Sequence, residues 1–178
     1  MDFFEKTKDS ETVYSGRIVT VKRDKVELSD KTEAAREVVE HPGGVVIAAI
    51  DDAAQIYVVD QFRYPMQKVL TELPAGKLEW GEDPDKAAER ELREETGLTA
   101  KEIKRIGEIY PSPGYCGEIL YLYLATGLTQ GEQELDEGEL LRCRRIPFEA
   151  ALEMVLDNTI KDAKSIALIS MAKKYLES

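Results

Sequence analysis

The chain has 178 residues and a formal charge of −11, from 35 acidic against 24 basic side chains. A chain with this negative charge is unsuited to binding nucleic acid without sequence specificity. To bind an anionic substrate, it would need metal ions and a few arginines at the binding site. Apolar runs such as Val45–Ile50 are too short to cross a bilayer, and residues 1–6 lack the pattern of a secretory leader. We therefore expect a cytoplasmic protein with neither nucleic acid nor a membrane as a partner.

Val, Ile, Thr and Tyr are frequent in the first part of the chain, which predicts β-strands. The predicted strands cover residues 12–27, 34–40, 45–50 and 55–61. Turn-forming residues at Pro42–Gly44 and Asp51–Ala54 separate the last three strands. An antiparallel arrangement of these neighbours is therefore expected.

A helix is predicted in the middle of the chain. Asp83 can cap the helix, and Pro84 suits its first position. From there the pattern of residues keeps the three- and four-residue spacing of a helix up to Gly97, which ends the helix. Further strands are predicted at residues 101–109, 119–125 and 139–146, followed by amphipathic helices at residues 147–156 and 161–176. This order indicates an α/β protein with mostly antiparallel strands.

The predicted central helix carries a pattern of acidic residues. Glu91 and Glu95 are four residues apart and share a helix face, and Glu94 is three residues from Glu91. Carboxylates placed in this way repel each other, whereas Mg²⁺ binds through one or two carboxylates together with waters and substrate phosphates. Arg90 can reach both Glu94 and Glu82 in the preceding loop. The alternative is a solvated helix face, which is what a charge run usually forms.

Residues 76–98 resemble the Nudix box without a mismatch. The segment is a glycine, five residues, a glutamate, seven residues, and then Arg-Glu-Leu-Arg-Glu-Glu-Thr-Gly-Leu. The resemblance implies a Nudix fold, which is an α/β/α sandwich around a mixed sheet, with the box as a platform for Mg²⁺. It further implies a hydrolase domain over residues 43–178 and an N-terminal antiparallel strand region over residues 1–42, in contact across a dimer.

The resemblance also assigns roles around the metal by matching positions in the box. It implies more than one Mg²⁺ ion per site, or Mn²⁺ in its place. The implied ligands are the backbone carbonyl of Ala75 and the carboxylates of Glu91 and Glu95. The implied structural support is the box glycine, Gly76, and an ion pair between Glu82 and Arg90.

Outside the box, the chain is similar to the ADP-ribose pyrophosphatase branch of the family. Three parts carry this likeness: residues 36–45, residues 59–65 with 72–76, and residues 112–118. The resemblance implies that a homodimer hydrolyses ADP-ribose to AMP and ribose 5-phosphate. The alternatives are a pyrophosphatase for another nucleoside diphosphate derivative, such as an ADP-sugar, NADH or a dinucleoside polyphosphate, and a non-catalytic module that senses ADP-ribose.

Adenine recognition is implied for the N-terminal strand region. Arg36 and Glu37 match positions that the family uses, across its dimer, to stack on the adenine and to hydrogen-bond it. Gly16 and Arg17 match substrate-binding positions less closely. The dimer would then complete each substrate site.

The other substrate-binding candidates lie nearer to the box or after it. Arg63 offers a planar donor fork for a phosphate, and the alternative is a solvated charge on a strand edge. A stiff turn beside the site is predicted for the segment that contains Ser112, Pro113, Gly114 and Glu118. Proline fixes φ in such a turn, and glycine lets the backbone approach a ligand. An ordinary surface turn is the alternative.

The acidic loop of residues 129–139 is the candidate source of a catalytic base. Matching residues 137–140 onto the branch makes Glu137 the base that activates water and Glu139 a further metal ligand. Because several acidic residues crowd this loop, a shift of two positions would exchange the two roles. The alternative is a solvated loop without chemistry.

Overall fold

The computed structural model describes residues 3–135, 138 and 140–176, and within them the chain forms ten β-strands and three α-helices. The strands are β1 (Lys6–Ser15), β2 (Thr20–Glu27), β3 (Glu33–Glu40), β4 (Gly44–Ala49), β5 (Gln55–Arg63), β6 (Lys68–Glu72), β7 (Ala75–Lys77), β8 (Leu98–Ile109), β9 (Leu120–Gln130) and β10 (Leu141–Pro147). The helices are α1 (Pro84–Thr96), α2 (Phe148–Leu156) and α3 (Ala163–Leu176). None of these helices has the length and apolar character needed to span a membrane.

The described strands form three sheets, and the chain divides into two units. Unit 1 comprises Met1–Gly43 and Tyr110–Ile119 and contains the antiparallel sheet β1-β2-β3. Unit 2 comprises Gly44–Ile109 and Leu120–Ser178 and contains the sheets β10-β5-β6 and β7-β4-β9-β8. In the second of these, β4 and β9 are parallel while the other pairs are antiparallel, which confirms the expected mixed sheet.

Strand β4 is the centre of unit 2, and every one of its residues is buried. Alternate side chains of a strand point to opposite faces, so β4 contributes to two cores. One core combines Val46, Ala48 and Ile50 with residues of α2 and α3, including Phe148, Leu168 and Ile169. The other combines Val45, Ile47 and Ala49 with residues of α1, including Ala87, Ala88 and Leu92. Helices thus cover both faces, as the α/β/α sandwich requires.

Two of the strand predictions were wrong. The single strand expected over residues 12–27 is two strands, because a tight turn closed by a 3.0 Å hydrogen bond from Gly16 N–H to Val19 O separates β1 from β2. The antiparallel pairing expected between residues 34–40 and 45–50 is absent from the described ladders, since β3 belongs to another sheet and β4 pairs in parallel with β9. A strand buried on both faces is typical of parallel pairing.

Helix α1 has the ends that the sequence predicts. Asp83 caps it by accepting a 2.8 Å hydrogen bond from Asp85 N–H, and Pro84 is its first residue. Gly97 ends it with a φ of 71°, and the N–H of Gly97 donates to Arg93 O at 2.8 Å. The left-handed conformation at this position favours glycine. These caps fix the two ends of α1 and therefore determine which acidic residues lie on the helix.

Candidate metal and phosphate site

Two carboxylates lie on the buried face of α1, beside apolar side chains that pack onto the mixed sheet. Glu91 is 9% exposed and Glu95 is 2% exposed, while Leu92 is fully buried. Glu95 Oε2 accepts a hydrogen bond of 2.9 Å from Ala75 N–H, so the backbone of β7 holds this carboxylate. Charged groups buried to this degree require partners or a bound metal ion. A solvated helix face therefore does not describe Glu91 and Glu95.

Strand β7 approaches α1 so closely that only glycine fits at position 76. A Cβ atom built on Gly76 would lie 1.8 Å from Glu91 Cδ and 2.0 and 2.1 Å from the two carboxylate oxygens. Any side chain at this position would have to displace the Glu91 carboxylate. The glycine is explained by this close approach of backbone and side chain, which glycine permits because it has no Cβ.

Arg90 connects the acidic residues of α1 to the preceding loop. Its Nε and Nη2 atoms donate to the two oxygens of Glu82, each at 3.1 Å, and Nη1 donates to Glu91 at 2.7 Å and to Glu94 at 2.9 Å. Burial disfavours the charged guanidinium, but Glu82 and the two α1 carboxylates outweigh it and raise the pKa of Arg90. The hydrogen bonds from Arg90 also lower the pKa of Glu82. Arg90 therefore remains charged and fixes the loop against the helix.

The residues around Ala75 fit a site for a hard divalent cation. Within the described part of the chain, no three side chains of His, Cys, Asp or Glu form a metal-binding group. The predicted side-chain ligands in that part are only two, Glu91 and Glu95, which flank the backbone of Ala75. Glu137 and Glu139 lie outside the described residues. Two carboxylates and a carbonyl match the donor set of Mg²⁺, which keeps several waters and binds substrate phosphates.

Arg63, the predicted phosphate-binding residue, is already bound to a buried carboxylate. Its Nε and Nη2 atoms donate to the two oxygens of Glu72, each at 2.7 Å, and the Glu72 side chain is 1% exposed. Lys164 of α3 also contacts Glu72, and it forms a 2.9 Å ion pair with Asp162. Burial favours the neutral form of Glu72, but Arg63 and Lys164 outweigh it and lower the pKa of Glu72. The donor fork of Arg63 thus serves an internal carboxylate.

No pattern in the sequence marks Glu72 or Lys164 as a functional residue. Glu72 stands in a segment that resembles the family, yet its second partner, Lys164, is 92 residues away, at the start of α3. No local pattern around Lys164 indicates such a contact. A cavity of about 340 Å³ beside the ion cluster of Arg63, Glu72, Lys164 and Asp162 was also not predicted. The cavity is lined by Met66, Lys68, Leu70, Lys161, Asp162 and Ala163.

In unit 1, a segment after β8 pairs with strand β3, which carries Arg36 and Glu37. Val39 N–H donates to Tyr115 O at 2.7 Å, and Gly117 N–H donates to Val39 O at 2.9 Å. These bonds place the turn of residues 112–118 beside β3. The turn is closed by a 2.9 Å hydrogen bond from Cys116 N–H to the carbonyl oxygen of Ser112.

The side chains of the unit 1 candidates differ in their surroundings. Arg36 is half-buried and donates to both carboxylate oxygens of Glu5, at 2.8 and 2.7 Å, whereas Glu37 is exposed. Glu118 lies 3.5 Å from His41 Nδ1. The remaining candidates are Gly16 and Arg17, in the turn between β1 and β2, and Ser112, Pro113 and Gly114.

The predicted site residues therefore divide between the two units. Unit 1 holds the candidates for adenine binding and the turn at residues 112–118. Unit 2 holds the candidates for metal binding together with Arg63. Within unit 2, the structure brings together Ala75, Gly76, Glu91, Glu95, Glu82 and Arg90.

Family profiles match nearly the whole chain. The profile described as NUDIX domain matches residues 40–169, and the profile described as nucleoside diphosphate sugar hydrolase N-terminal domain matches residues 5–39. The first profile covers more than half of the chain and includes all of α1.

Individual relatives are similar over almost their full lengths. An ADP-ribose pyrophosphatase of Bacillus subtilis (strain 168) is 41% identical, with 97% of this chain and 92% of the relative covered. A methanol dehydrogenase activator of Bacillus methanolicus is 40% identical, with 98% and 94% covered. The crystal structure of an ADP compounds hydrolase superposes with a TM-score of 0.86 over 99% of this chain and 97% of that one. At 22% identity, this last similarity shows a shared fold.

Proposed function

Because the chain belongs to the Nudix family, we propose that it is a Mg²⁺-dependent hydrolase that cleaves the pyrophosphate bond of ADP-ribose to give AMP and ribose 5-phosphate. One structural observation carries the proposal: the buried carboxylates of Glu91 and Glu95 face the backbone of Ala75 and Gly76. The choice of ADP-ribose is supported by the B. subtilis ADP-ribose pyrophosphatase, which is similar over nearly the full length of both chains.

In this proposal, the residues around α1 hold the metal and keep it in place. Glu91, Glu95 and the carbonyl of Ala75 are ligands, and Glu139 is a further one. Mg²⁺ held by these residues, or Mn²⁺ in its place, would neutralise charge on the diphosphate and would make a nearby water easier to deprotonate. Glu137 takes the proton from the attacking water. The contacts of Arg90 with the loop and with α1 hold the ligand carboxylates in position.

The proposal places the two ends of ADP-ribose on different residues. Arg63 binds a phosphate oxygen, while the turn with Ser112, Pro113, Gly114 and Glu118 lies beside the substrate. Arg36 and Glu37 bind the adenine in the site of the partner subunit of a homodimer, assisted by Gly16 and Arg17. The guanidinium of Arg36, which is oriented by both carboxylate oxygens of Glu5, is suited to stacking on a base.

A substrate panel tests the proposed activity. Purified protein with Mg²⁺ is given ADP-ribose, other ADP-sugars, NADH, diadenosine polyphosphates and nucleoside triphosphates, and products are measured by phosphate-coupled detection and chromatography. We expect the highest kcat/KM for ADP-ribose, with AMP and ribose 5-phosphate formed in equal amounts. Binding of ADP-ribose without turnover would instead indicate a sensor module.

A second candidate substrate class is another nucleoside diphosphate sugar. The description of the N-terminal family profile over residues 5–39 names hydrolases of nucleoside diphosphate sugars as a class, which includes these compounds as well as ADP-ribose. If a non-adenine sugar nucleotide gave the highest kcat/KM in the panel, the assignment to ADP-ribose would be wrong while the hydrolase assignment would remain.

Replacing Gly76 with alanine is expected to lower activity by about 10- to 100-fold, which is the usual cost of losing a group that orients a metal ligand. The new Cβ would displace the Glu91 carboxylate, so the loss should be accompanied by a higher Mg²⁺ concentration for half-maximal rate. Mg²⁺ titrations of the initial rate measure this change. An unaltered Mg²⁺ requirement would show that Glu91 does not bind the metal.

The variant Arg63→Ala is expected to raise KM for ADP-ribose more than it lowers kcat, because a phosphate clamp binds the ground and transition states alike. It should also lower the melting temperature, since the buried Glu72 loses its bidentate partner. Steady-state kinetics and thermal unfolding measure the two effects. Arg142→Ala is a matched control, because this exposed arginine shares its partner Asp60 with Arg144. A loss of stability with unchanged KM would assign Arg63 a purely structural role.

A further inference from the structure

The segment that leads into the box glycine is tied to the start of α3. Leu73 N–H donates to Ser165 Oγ at 2.7 Å, and Ser165 Oγ in turn donates to Asp162 at 2.6 Å. Ser165 is fully buried. Two residues later, Ala75 N–H donates to Glu95. Helix α3 therefore helps to set the path of the backbone that carries the proposed carbonyl ligand.

The same end of α3 supplies a second cation to a buried carboxylate. Glu72 is almost inaccessible to solvent, and its Oε2 atom is contacted both by Arg63 and by Lys164. Lys164 is itself only 13% exposed. The charges of Arg63, Glu72, Lys164 and Asp162 sum to zero, so this cluster adds little net field. The cluster can therefore affect the binding of an anionic ligand only through the orientation of its groups.

Lys164 limits the freedom of the Glu72 carboxylate, and this carboxylate sets the plane of the Arg63 guanidinium. Two parallel hydrogen bonds between guanidinium and carboxylate define both planes. Among the described residues, Nη1 of Arg63 has no hydrogen-bond partner, so this nitrogen is available for a second anion. Glu72 lies three residues before Ala75, whose N–H donates to Glu95, so the Arg63–Glu72 pair is tied to the same stretch of backbone as the proposed metal ligands.

We propose that Lys164 is a positioning residue for substrate binding: it fixes Glu72, which holds the Arg63 guanidinium so that Nη1 can bind a phosphate oxygen of the diphosphate. This inference rests on the proposed function, and it adds a residue of the last helix to the determinants of substrate affinity. Lys164 does not contact the substrate. Its effect passes through Glu72 and Arg63 alone.

The test uses Lys164→Met, which keeps a long side chain and removes the charge. We expect KM for ADP-ribose to rise by roughly tenfold, within the range found for partners that orient a binding group, while kcat changes less than twofold. Lys164→Arg should restore KM, because it keeps a cationic donor for Glu72. Lys161→Met is the matched control, since Lys161 is an exposed lysine three positions earlier, and KM should not change.

A double-mutant cycle shows whether Lys164 acts through Arg63. The variant with both Arg63→Ala and Lys164→Met should have the KM of Arg63→Ala alone, because the positioned group is then absent. Independent, multiplicative effects on KM would overturn the inference. If Lys164→Met does not fold, Lys164→Gln carries the same test, since it keeps a neutral donor beside Glu72.

The failure of this inference is distinguishable from the failure of the proposed function. If the wild-type protein hydrolyses ADP-ribose and the Lys164 variants keep its KM, only the positioning role is wrong. A fall in melting temperature with unchanged KM would have the same meaning, because it describes a structural ion pair. If the wild-type protein hydrolyses no nucleoside diphosphate derivative, the proposed function is wrong.

Discussion

The variant Glu95→Gln is expected to lower kcat for ADP-ribose by about 100- to 1000-fold, because metal ions contribute several kcal/mol of transition-state stabilisation at tenfold per 1.4 kcal/mol. The fold should survive. Glutamine has the same shape, and its Oε1 can still accept the hydrogen bond from Ala75 N–H. What is lost is a negative charge at a site that is 2% exposed. Steady-state kinetics over a range of Mg²⁺ concentrations, with thermal unfolding in parallel, measure the two properties.

Glu89→Gln is the matched control for this experiment. Glu89 lies on the same helix but is exposed, so its replacement removes one charge without touching the buried face. We expect it to retain the wild-type rate. Near wild-type activity of Glu95→Gln with Mg²⁺ would mean that the metal platform is misassigned.

Mixing two inactive variants is expected to restore about a quarter of the wild-type activity, because half of the dimers would be heterodimers and each of these would hold one intact site. One parent carries Glu95→Gln, and the other carries Arg36→Ala with Glu37→Ala. The prediction follows from the proposal that the adenine-binding residues of one subunit serve the partner's metal site. The parents are unfolded and refolded together, heterodimers are verified by mass spectrometry, and the rate is measured with ADP-ribose below its KM.

A second mixture controls for nonspecific recovery. Glu95→Gln mixed with Glu91→Gln leaves a damaged metal site in each chain of a heterodimer, so neither of its two sites is intact and no activity should return. If the first mixture also stays inactive although heterodimers have formed, Arg36 and Glu37 serve the site of their own chain or no site at all.

Features that depend on neighbouring residues were predictable from the sequence. The ends of α1 follow from Asp83 and Gly97, whose roles as caps are local. The mixed sheet and the α/β/α sandwich followed from the resemblance of the box to a known family, and the structure contains both. The short strands β6 and β7 were not predicted, because segments of five and three residues leave little room for a periodic pattern.

Features that depend on tertiary contacts were not predictable. The four-residue spacing of Glu91 and Glu95 predicts a shared face but does not say whether the face is buried. Arg63 was expected to offer its donor fork to a phosphate, and its pairing with Glu72 became evident only in the folded chain. Lys164 reaches this pair across 92 residues of sequence, and no local propensity specifies such a contact.

The link between Leu73 and Ser165 has a consequence for the order of events during protein synthesis. Ribosomes release the chain from its N-terminus at about 5–20 residues per second, so α1 and its carboxylates emerge well before α3. Until Ser165 arrives, the N–H of Leu73 lacks its buried acceptor and Glu72 lacks one of its two cations. The acidic residues therefore exist in the nascent chain before the backbone beside them is anchored. Competence for hydrolysis should coincide with the docking of the last helix.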